Sequence, residues 1–323
     1  MRVGLVGNTQ AQAGRLKRLL TFPAEIVLDD ETRTTRTSPL DVDAAVSIRF
    51  NASDIAAVHC RLLQCSGVGI DGIALDKLPA AMTVCNVHEH EIPIAEYVMA
   101  GIIDHEIGLF RAESTFSSAE WGNLFRTRVP HGEVAGKTIC VVGIGRIGKA
   151  IAVRARAFGM RVVGVNRSGR SSPEADRVAD FRALRDELPE ADYVVLACPL
   201  TNETRGLIDA AALAAMKPSA LLVNVARGEV IDEQALYDAA TTRCIGGALL
   251  DVWYTYPTLA EPNPKPSRFA FEAVPGVKCT PHISAWTEGL MERRYAVIAD
   301  NLARFHDGRP LLNVVWRDGH AAT

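Results

Sequence analysis

The stretch KTICVVGIGRIGKAIAVRARAFGMRVVGVNRSGR, residues 137–170, contains in order an apolar strand, a glycine turn, an amphipathic helix and a second apolar strand. A Gly-x-Gly-x-x-Gly pattern between a strand and a helix predicts a turn that holds a dinucleotide pyrophosphate at the helix N-terminus. This stretch therefore predicts a Rossmann nucleotide-binding domain. The turn residues expected to contact the cofactor are Gly143, Gly145, Arg146, Ile147 and Gly148.

The end of the second strand indicates which dinucleotide is bound. Sites for NAD usually carry Asp or Glu here, which binds the ribose 2′-hydroxyl. This chain instead carries Asn166, Arg167, Ser168 and Arg170. A guanidinium suits a 2′-phosphate, whereas a carboxylate would repel it. We therefore expect NADP(H), with NAD(H) as the alternative if these arginines are only solvated loop residues.

Apolar runs that alternate with helical patterns extend in both directions from this stretch. Such alternation is typical of parallel sheets covered by helices. The 323 residues of the chain are about twice the length of one domain. We therefore predict an α/β protein with two doubly wound parallel-sheet domains. Strands are predicted at 2–7, 44–50, 61–65, 82–87, 192–198, 220–226, 245–252 and 277–282.

Two long helices stand outside this alternation. Apolar residues surround the first half of the helix at 94–110, which indicates a helix that joins two domains, lies in a subunit interface, or both. The helix at about 287–305 carries its apolar residues on one face. It could therefore return to pack on the first domain.

Composition excludes several classes of protein. The net charge of −3 offers no basic surface for nucleic acid, and no apolar run is long enough to span a membrane. The seven cysteines are scattered without a C-x-x-C pair, and the first residues do not read as a signal peptide. We therefore expect a cytoplasmic protein without a nucleic-acid or membrane partner.

A set of motifs beyond the glycine turn points to one family. The motifs are CPLT (198–201), TRGLI (204–208), MKPSALLVNVARGEVIDEQAL (216–236), LLDVW (249–253) and PHIS (281–284). With them the chain resembles the D-isomer-specific 2-hydroxyacid dehydrogenases over nearly its whole length. The resemblance implies hydride transfer between a nicotinamide cofactor and a small, anionic 2-keto or 2-hydroxy acid, usually in a homodimer. It also implies a Rossmann domain at 98–286 inserted in a flavodoxin-like substrate domain formed by 1–97 and 287–323.

The resemblance implies roles for the residues that match the family's motifs. Arg227 corresponds to the arginine that binds the substrate carboxylate, and His282 to the acid/base that exchanges a proton with the substrate oxygen. The backbone N–H groups of the loop with Gly67, Val68 and Gly69 correspond to those that receive the carboxylate. Further residues are implied in cofactor binding, namely Cys198, Pro199, Thr204, Val225, Ala226, Asp251, His282 and Ser284.

One position departs from the family. Most members place a Glu before a Pro, where it pairs with the catalytic histidine, whereas this chain has Tyr256 before Pro257. In one hypothesis, Tyr256 hydrogen-bonds to His282 and the enzyme still reduces a 2-keto acid. In a second hypothesis, the reaction is formate-dehydrogenase-like or otherwise atypical and needs no His–Glu pair. In a third, a nearby acid such as Glu261 or Glu288 substitutes.

The substrate side departs as well, since His90 occupies a position that is often Asn in the family. His90 is therefore expected either to influence substrate choice or to belong to a polar loop. His88 and His90 would point to opposite sides of an extended segment, so we expect no metal site. A final alternative is a nucleotide-sensing protein without turnover, which the retention of Arg227 and His282 disfavours.

Overall fold

The computed structural model describes residues 1–29, 39–258 and 261–321. The chain divides into two compact units, which we call unit 1 and unit 2. Unit 1 comprises Met1–His90 and Thr287–Thr323, and unit 2 comprises Glu91–Trp286. Unit 2 is therefore an insertion in unit 1.

Strands and helices alternate through most of the described chain. The strands are β1 (Arg2–Leu5), β2 (Glu25–Leu28), β3 (Leu40–Asp41), β4 (Ala44–Ser47), β5 (Val58–His59), β6 (Leu62–Cys65), β7 (Thr83–Cys85), β8 (Thr138–Val142), β9 (Arg161–Asn166), β10 (Arg177–Asp180), β11 (Tyr193–Leu196), β12 (Leu221–Asn224), β13 (Gly247–Leu250), β14 (Val277–Cys279), β15 (Val314–Arg317) and β16 (His320–Ala321). The helices are α1 (Ala13–Leu19), α2 (Ala52–Ala57), α3 (Glu91–Ile107), α4 (Leu109–Thr115), α5 (Trp121–Thr127), α6 (Arg146–Ala157), α7 (Leu184–Glu187), α8 (Ala210–Ala215), α9 (Glu233–Thr241) and α10 (Glu288–His306).

The main sheet of unit 1 has the strand order β16-β15-β7-β6-β4-β1-β2 in the part of the chain described. Its strands β2, β1, β4, β6 and β7 are parallel, and their order is that of a flavodoxin-like sheet. β15 pairs antiparallel with β7, and β16 pairs antiparallel with β15. One face is covered by α1 and α10, which contributes Met291, Tyr295, Ile298 and Leu302 to the core. The C-terminal segment thus supplies both a covering helix and a sheet edge to unit 1.

The sheet of unit 2 is parallel throughout, with the order β10-β9-β8-β11-β12-β13-β14. Successive residues of β8 point to opposite faces, so Cys140 belongs to one core cluster and Ile139 to the other. Both faces are buried, which explains why these strands read as continuous apolar runs. The order reverses between β8 and β11. In such sheets ligands bind beyond the carboxyl ends of the strands at this point.

The helix α3 belongs to unit 2 from its first residue. Its residues Ile94, Ala95, Val98 and Met99 lie in the same core cluster as the buried face of α6. The unit therefore starts at Glu91, whereas the sequence placed the domain boundary between 97 and 98, inside this helix. The second change of unit lies between Trp286 and Thr287.

Exposed apolar side chains concentrate in the segment that follows α3. Phe110, Phe116, Trp121 and Phe125 are each half exposed or more, and Trp121 packs between Phe116 and Phe125. We call the segment 109–129, with α4 and α5, the aromatic arm. Among the described residues, no helix is both long enough and apolar enough to cross a bilayer.

Candidate active site

The glycine turn after β8 is shaped by close backbone packing. A Cβ on Gly143, whose φ is +101°, would lie 2.5 Å from the backbone N of Cys198, and one on Gly148 would lie 2.1 Å from the carbonyl oxygen of Gly143. Only glycine fits at these two positions. By contrast, a Cβ on Gly145 would meet no protein atom within 4 Å. Gly145 therefore faces open space beside the N-terminus of α6.

That open space belongs to a cavity of about 490 Å³. Gly145 is the N-cap of α6 and supplies no side-chain cap, so the first N–H groups of the helix remain able to bind an anion. A dinucleotide pyrophosphate fits this arrangement. The lining residues are Gly143, Ile144, Gly145, Lys149, Asn166, Arg167, Ser168, Arg170, Ser171, Ser172, Phe181, Cys198, Pro199, Thr201, Glu203 and Thr204.

The cavity brings together part of the cofactor set expected from sequence. The nine expected residues that line it are Gly143, Gly145, Asn166, Arg167, Ser168, Arg170, Cys198, Pro199 and Thr204. The expected residues outside its lining are Arg146, Ile147, Gly148, Val225, Ala226, Asp251, His282 and Ser284. Gly148 is absent from the lining because it packs against the turn itself.

Hydrogen bonds hold the loop after β9 in shape. The Asn166 Oδ1 atom accepts from the Ser168 amide at 3.0 Å, and its Nδ2 donates to the Arg170 carbonyl at 3.0 Å. Arg167 Nε donates to Glu203 Oε2 at 2.8 Å. Asn166 thus builds the loop, while Arg167 reaches across the cavity lining to a carboxylate that the sequence did not single out.

The other wall of the cavity is fixed by the loop after β11. Thr204 Oγ1 donates to the Pro199 carbonyl at 2.6 Å and accepts from the Thr201 amide at 2.8 Å. Burial raises the pKa of the Cys198 thiol to about 11. Cys198 is therefore a neutral, unreactive wall of the cavity.

Arg227 sits on a tight turn after β12. The side chain of Asn224 accepts from the Ala226 amide at 3.0 Å and donates to the Arg227 carbonyl at 2.9 Å. A Cβ on Gly228 would lie 2.6 Å from the Trp253 carbonyl. The missing side chain of Gly228 thus lets the Arg227 turn pack directly on the segment that carries Tyr256.

His282 lies on the loop after β14, with a left-handed backbone (φ 59°). Its Nδ1 atom is 2.9 Å from the Tyr256 hydroxyl oxygen, which also accepts from the Trp253 amide at 3.2 Å. The Trp253 indole Nε1 donates to the Thr280 carbonyl at 2.9 Å. Trp253 therefore connects the Arg227 turn, Tyr256 and the His282 loop.

Asp251 is fully buried beneath the same loop. Its carboxylate accepts from the Ile283 amide (2.8 Å), the Ser284 amide (2.9 Å) and Thr280 Oγ1 (2.6 Å). These three bonds satisfy a buried charge and fix the chain on both sides of His282. The family resemblance implies that both Asp251 and Ser284 contribute to cofactor binding. The structure adds their mutual hydrogen bond.

The expected substrate residues of unit 1 differ in whether they are available to a ligand. Within the described residues, the N–H groups of Gly67, Val68 and Gly69 have no hydrogen-bond acceptor. His90 is only 9% exposed, with its Nε2 atom 2.5 Å from Arg294 Nη2 and its Nδ1 atom 3.0 Å from the His88 carbonyl. The loop amides are thus available to an anion, whereas His90 is built into the interior.

The proposed substitute acid Glu288 is engaged elsewhere. It lies in unit 1, at the first turn of α10, where its carboxylate is 2.7 Å from Arg15 Nη2. Among the residues described, no three His, Cys, Asp or Glu side chains are grouped as a metal site would require. Tyr256 is the residue that the structure pairs with His282 Nδ1.

Comparison with known proteins identifies the family. The family profile described as "D-isomer specific 2-hydroxyacid dehydrogenase, NAD binding domain" matches residues 99–284. The glyoxylate reductase of Thermococcus kodakarensis is 36% identical over 278 residues, which cover 83% of this chain and 81% of that relative. The glyoxylate reductase of Thermococcus onnurineus is 34% identical over 292 residues, covering 86% of this chain and 84% of that relative.

A solved structure agrees with the sequence matches. The D-isomer specific 2-hydroxyacid dehydrogenase family protein of Aeromonas salmonicida is 28% identical and has a TM-score of 0.80, covering 97% of this chain and 98% of its own. The profile spans more than half of the chain, and the relatives match it over most of their length. The chain therefore belongs to the D-isomer specific 2-hydroxyacid dehydrogenase family.

Proposed function

We propose that the protein is an NADP-preferring reductase that transfers a hydride between the nicotinamide and a small 2-keto or 2-hydroxy acid. The observation that carries the proposal is that the reacting groups follow strands of the same sheet. The glycine turn, Arg227 and His282 follow β8, β12 and β14 of one parallel sheet. The carboxyl ends of such strands share one edge, which supports a single site.

Each protein group has a defined task in this proposal. The cofactor, when bound, supplies the hydride chemistry. Arg227 binds the substrate carboxylate and polarises the neighbouring carbonyl, since a guanidinium can pair with both carboxylate oxygens. The backbone N–H groups of Gly67, Val68 and Gly69, which have no acceptor among the described residues, are suited to bind an anion. His282 donates a proton to the developing alkoxide.

The Tyr256 hydrogen bond assigns the two ring nitrogens of His282. Nδ1 is taken by the Tyr256 hydroxyl, so proton exchange with the substrate runs through Nε2. The imidazolium that gives up the Nε2 proton and the neutral ring left behind both keep a proton on Nδ1, so Nδ1–H donates to the Tyr256 oxygen, which also accepts from the Trp253 amide. Tyr256 acts here as an orienting residue that brings no negative charge to the pair.

The preference for NADP rests on the loop after β9. Arg167, Ser168 and Arg170 line the cavity there, and the position that carries a carboxylate in NAD sites is Asn166. Glu203 pairs with Arg167, but its carboxylate comes from a different loop. Two guanidinium groups beside one carboxylate favour a 2′-phosphate over an unmodified ribose.

Glyoxylate is the first substrate to test, because the two relatives described above are named glyoxylate reductases. Those relatives also favour this proposal over formate oxidation. NADPH and NADH oxidation at 340 nm is measured with glyoxylate, hydroxypyruvate and phosphonate-bearing 2-keto acids. Formate with NADP is tested in the opposite direction. NADP reduction by formate, or intact nucleotide binding without turnover of any 2-keto acid, contradicts the proposal.

The aromatic arm supports a homodimer as part of this proposal. Its exposed residues Phe116, Trp121 and Phe125 pack on one another in one patch, and such patches on a monomer mark contact surfaces. A second copy of the chain is the partner proposed, consistent with the usual assembly of the family. The seven free thiols support a reducing compartment, so we place the enzyme in the cytoplasm.

A further inference from the structure

The backbone at His282 has an uncommon conformation that hydrogen bonds must hold in place. A left-handed φ of 59° is uncommon for a residue with a Cβ and costs free energy, so it persists only where the surroundings enforce it. His282 is exposed, but its ring is held by the Tyr256 hydroxyl and its amide donates to the Thr280 carbonyl at 3.0 Å. Further support comes from the hydrogen bonds of the neighbouring residues.

Three such bonds converge on Asp251, as described above. The Thr280 hydroxyl, which makes one of them, forms a further hydrogen bond. The Thr280 hydroxyl oxygen lies 2.6 Å from the Tyr97 hydroxyl, which projects from α3. The Thr280 proton is committed to Asp251, because a carboxylate flanked by two backbone N–H donors can only accept. Tyr97 is therefore the donor to Thr280. The two hydrogen bonds form a series in which Tyr97 donates to Thr280 and Thr280 donates to Asp251.

Donor and acceptor keep their roles in these hydrogen bonds over the working pH range. Burial raises the pKa of the Tyr97 hydroxyl to about 12. The hydroxyl therefore keeps its proton and remains a donor. This series of hydrogen bonds links α3 to Thr280, two residues before His282. Through Asp251 it also reaches the two residues that follow His282.

We propose that Tyr97 and Thr280 are positioning residues for His282, acting through Asp251 to hold the loop in the geometry that proton transfer requires. The inference rests on the proposed function, in which His282 is the acid/base. Proton transfer depends steeply on donor placement, so a loop that relaxes by a fraction of an ångström loses rate without losing cofactor affinity. Neither Tyr97 nor Thr280 needs to touch the substrate for this effect.

The test uses Tyr97→Phe and Thr280→Val, which each remove one hydroxyl, and Thr280→Ser, which retains it. Tyr193→Phe is the matched control, because the Tyr193 hydroxyl also makes a buried 2.6 Å bond in unit 2, to Glu106 Oε1. That bond lies at the opposite, amino end of β11. The measurements are kcat, KM for the 2-keto acid, the Kd of NADPH and the melting temperature.

We expect Tyr97→Phe and Thr280→Val to lower kcat by about tenfold while the Kd of NADPH stays within about twofold. Thr280→Ser should retain near-normal kcat. Tyr193→Phe should lose stability but not kcat. If Tyr97→Phe only lowers the melting temperature, as Tyr193→Phe does, the two hydroxyls serve the fold alone and the proposal is overturned.

A second measurement does not depend on turnover. In protein labelled with ¹⁵N-histidine, the His282 ring signals are identified by their loss in His282→Gln. They should shift in Tyr97→Phe and Thr280→Val, and remain unchanged in Tyr193→Phe. Unshifted signals in the first two variants overturn the positioning role. Inactivity of the wild type toward every 2-keto acid would instead overturn the proposed function, and the ring signals would still decide this inference.

Discussion

Tyr256 gives His282 a neutral partner where a carboxylate would be a charged one. A carboxylate beside an imidazole favours the imidazolium, whereas a hydroxyl offers a hydrogen bond without compensating charge. The 2.9 Å contact can orient the ring before and after proton transfer, because Nδ1 keeps its proton in both states and donates to the phenol oxygen. In the proposed reaction, the imidazolium of His282 is therefore stabilised by a hydrogen bond and not by a neighbouring negative charge.

Tyr256→Glu is therefore expected to extend activity to higher pH. The new carboxylate stabilises the imidazolium, so the alkaline limb of the pH profile for keto-acid reduction should move upward by about one pH unit. The profile of kcat/KM against pH measures this shift. Tyr256→Phe is the control: it should lower kcat without an upward shift. An alkaline limb that stays in place in Tyr256→Glu would show that residue 256 does not face His282 in the working enzyme.

Arg167→Ala is expected to reduce the preference for NADPH over NADH. The guanidinium is the group that a 2′-phosphate would pair with, and its loss leaves Glu203 without its cation. KM for NADPH should rise by about tenfold, while KM for NADH stays within about twofold. Arg185→Ala, which breaks an exposed ion pair with Asp209 elsewhere in the unit, is the control. Equal losses for both cofactors would exclude 2′-phosphate recognition by Arg167.

Functional side chains differ in how far the sequence could predict them. Arg227 and His282 stand in local motifs, so the sequence alone singles them out. Glu203 and Tyr97 have no such signal, because their partners Arg167 and Thr280 lie 36 and 183 residues away along the chain. Their contacts depend on strand order and helix packing. Only the three-dimensional arrangement reveals them.

At the scale of elements, two glycines at the start of α6 have different effects, one on helix packing and one on ligand binding. Gly148 admits the helix against the turn, and Gly145 leaves room for a ligand. Gly145→Ala should therefore leave the melting temperature nearly unchanged but raise the Kd of NADPH by about tenfold or more. Gly148→Ala should destabilise the fold by about 1–3 kcal/mol, because its methyl group would overlap the Gly143 carbonyl.

Thermal melting and fluorescence titration with NADPH distinguish these two effects. Gly145 has an extended backbone (φ −84°, ψ −156°) that alanine can adopt, so strain does not confuse the comparison. If Gly145→Ala binds NADPH like the wild type, the open space beside Gly145 is not the pyrophosphate site.

Element prediction succeeded where the apolar pattern is continuous and missed several strands at the sheet edges, although the run at 277–282 contains the edge strand β14. The runs at 192–198 and 220–226 contain β11 and β12, since a strand buried on both faces is largely apolar. The sequence did not predict β2, β10 or the β15–β16 hairpin. Each lies at or next to the edge of its sheet, has few fully buried residues, and so lacks a clear period.

At the scale of the whole molecule, the aromatic arm leads to a prediction about assembly. The wild type should sediment as a dimer, at about twice the chain mass of 34.9 kDa. The double variant Phe116→Ser, Trp121→Ser removes two of the exposed rings and should shift the equilibrium toward monomer. Val153→Ser, an exposed apolar position on α6 outside the arm, is the control. A monomeric wild type would rule out the dimer.

The insertion of unit 2 into unit 1 sets an order of events during synthesis. Residues 91–286 emerge as a continuous segment, so the all-parallel sheet of unit 2 can close while the ribosome is still at work. The first ninety residues must wait, because Tyr295, Ile298 and Leu302 of α10 fill their core and β15 pairs with β7, and both elements are made after unit 2. Until then the nascent chain carries an apolar sheet face without its covering helix. This early segment, rather than the nucleotide-binding half, is where we expect chaperones to be needed.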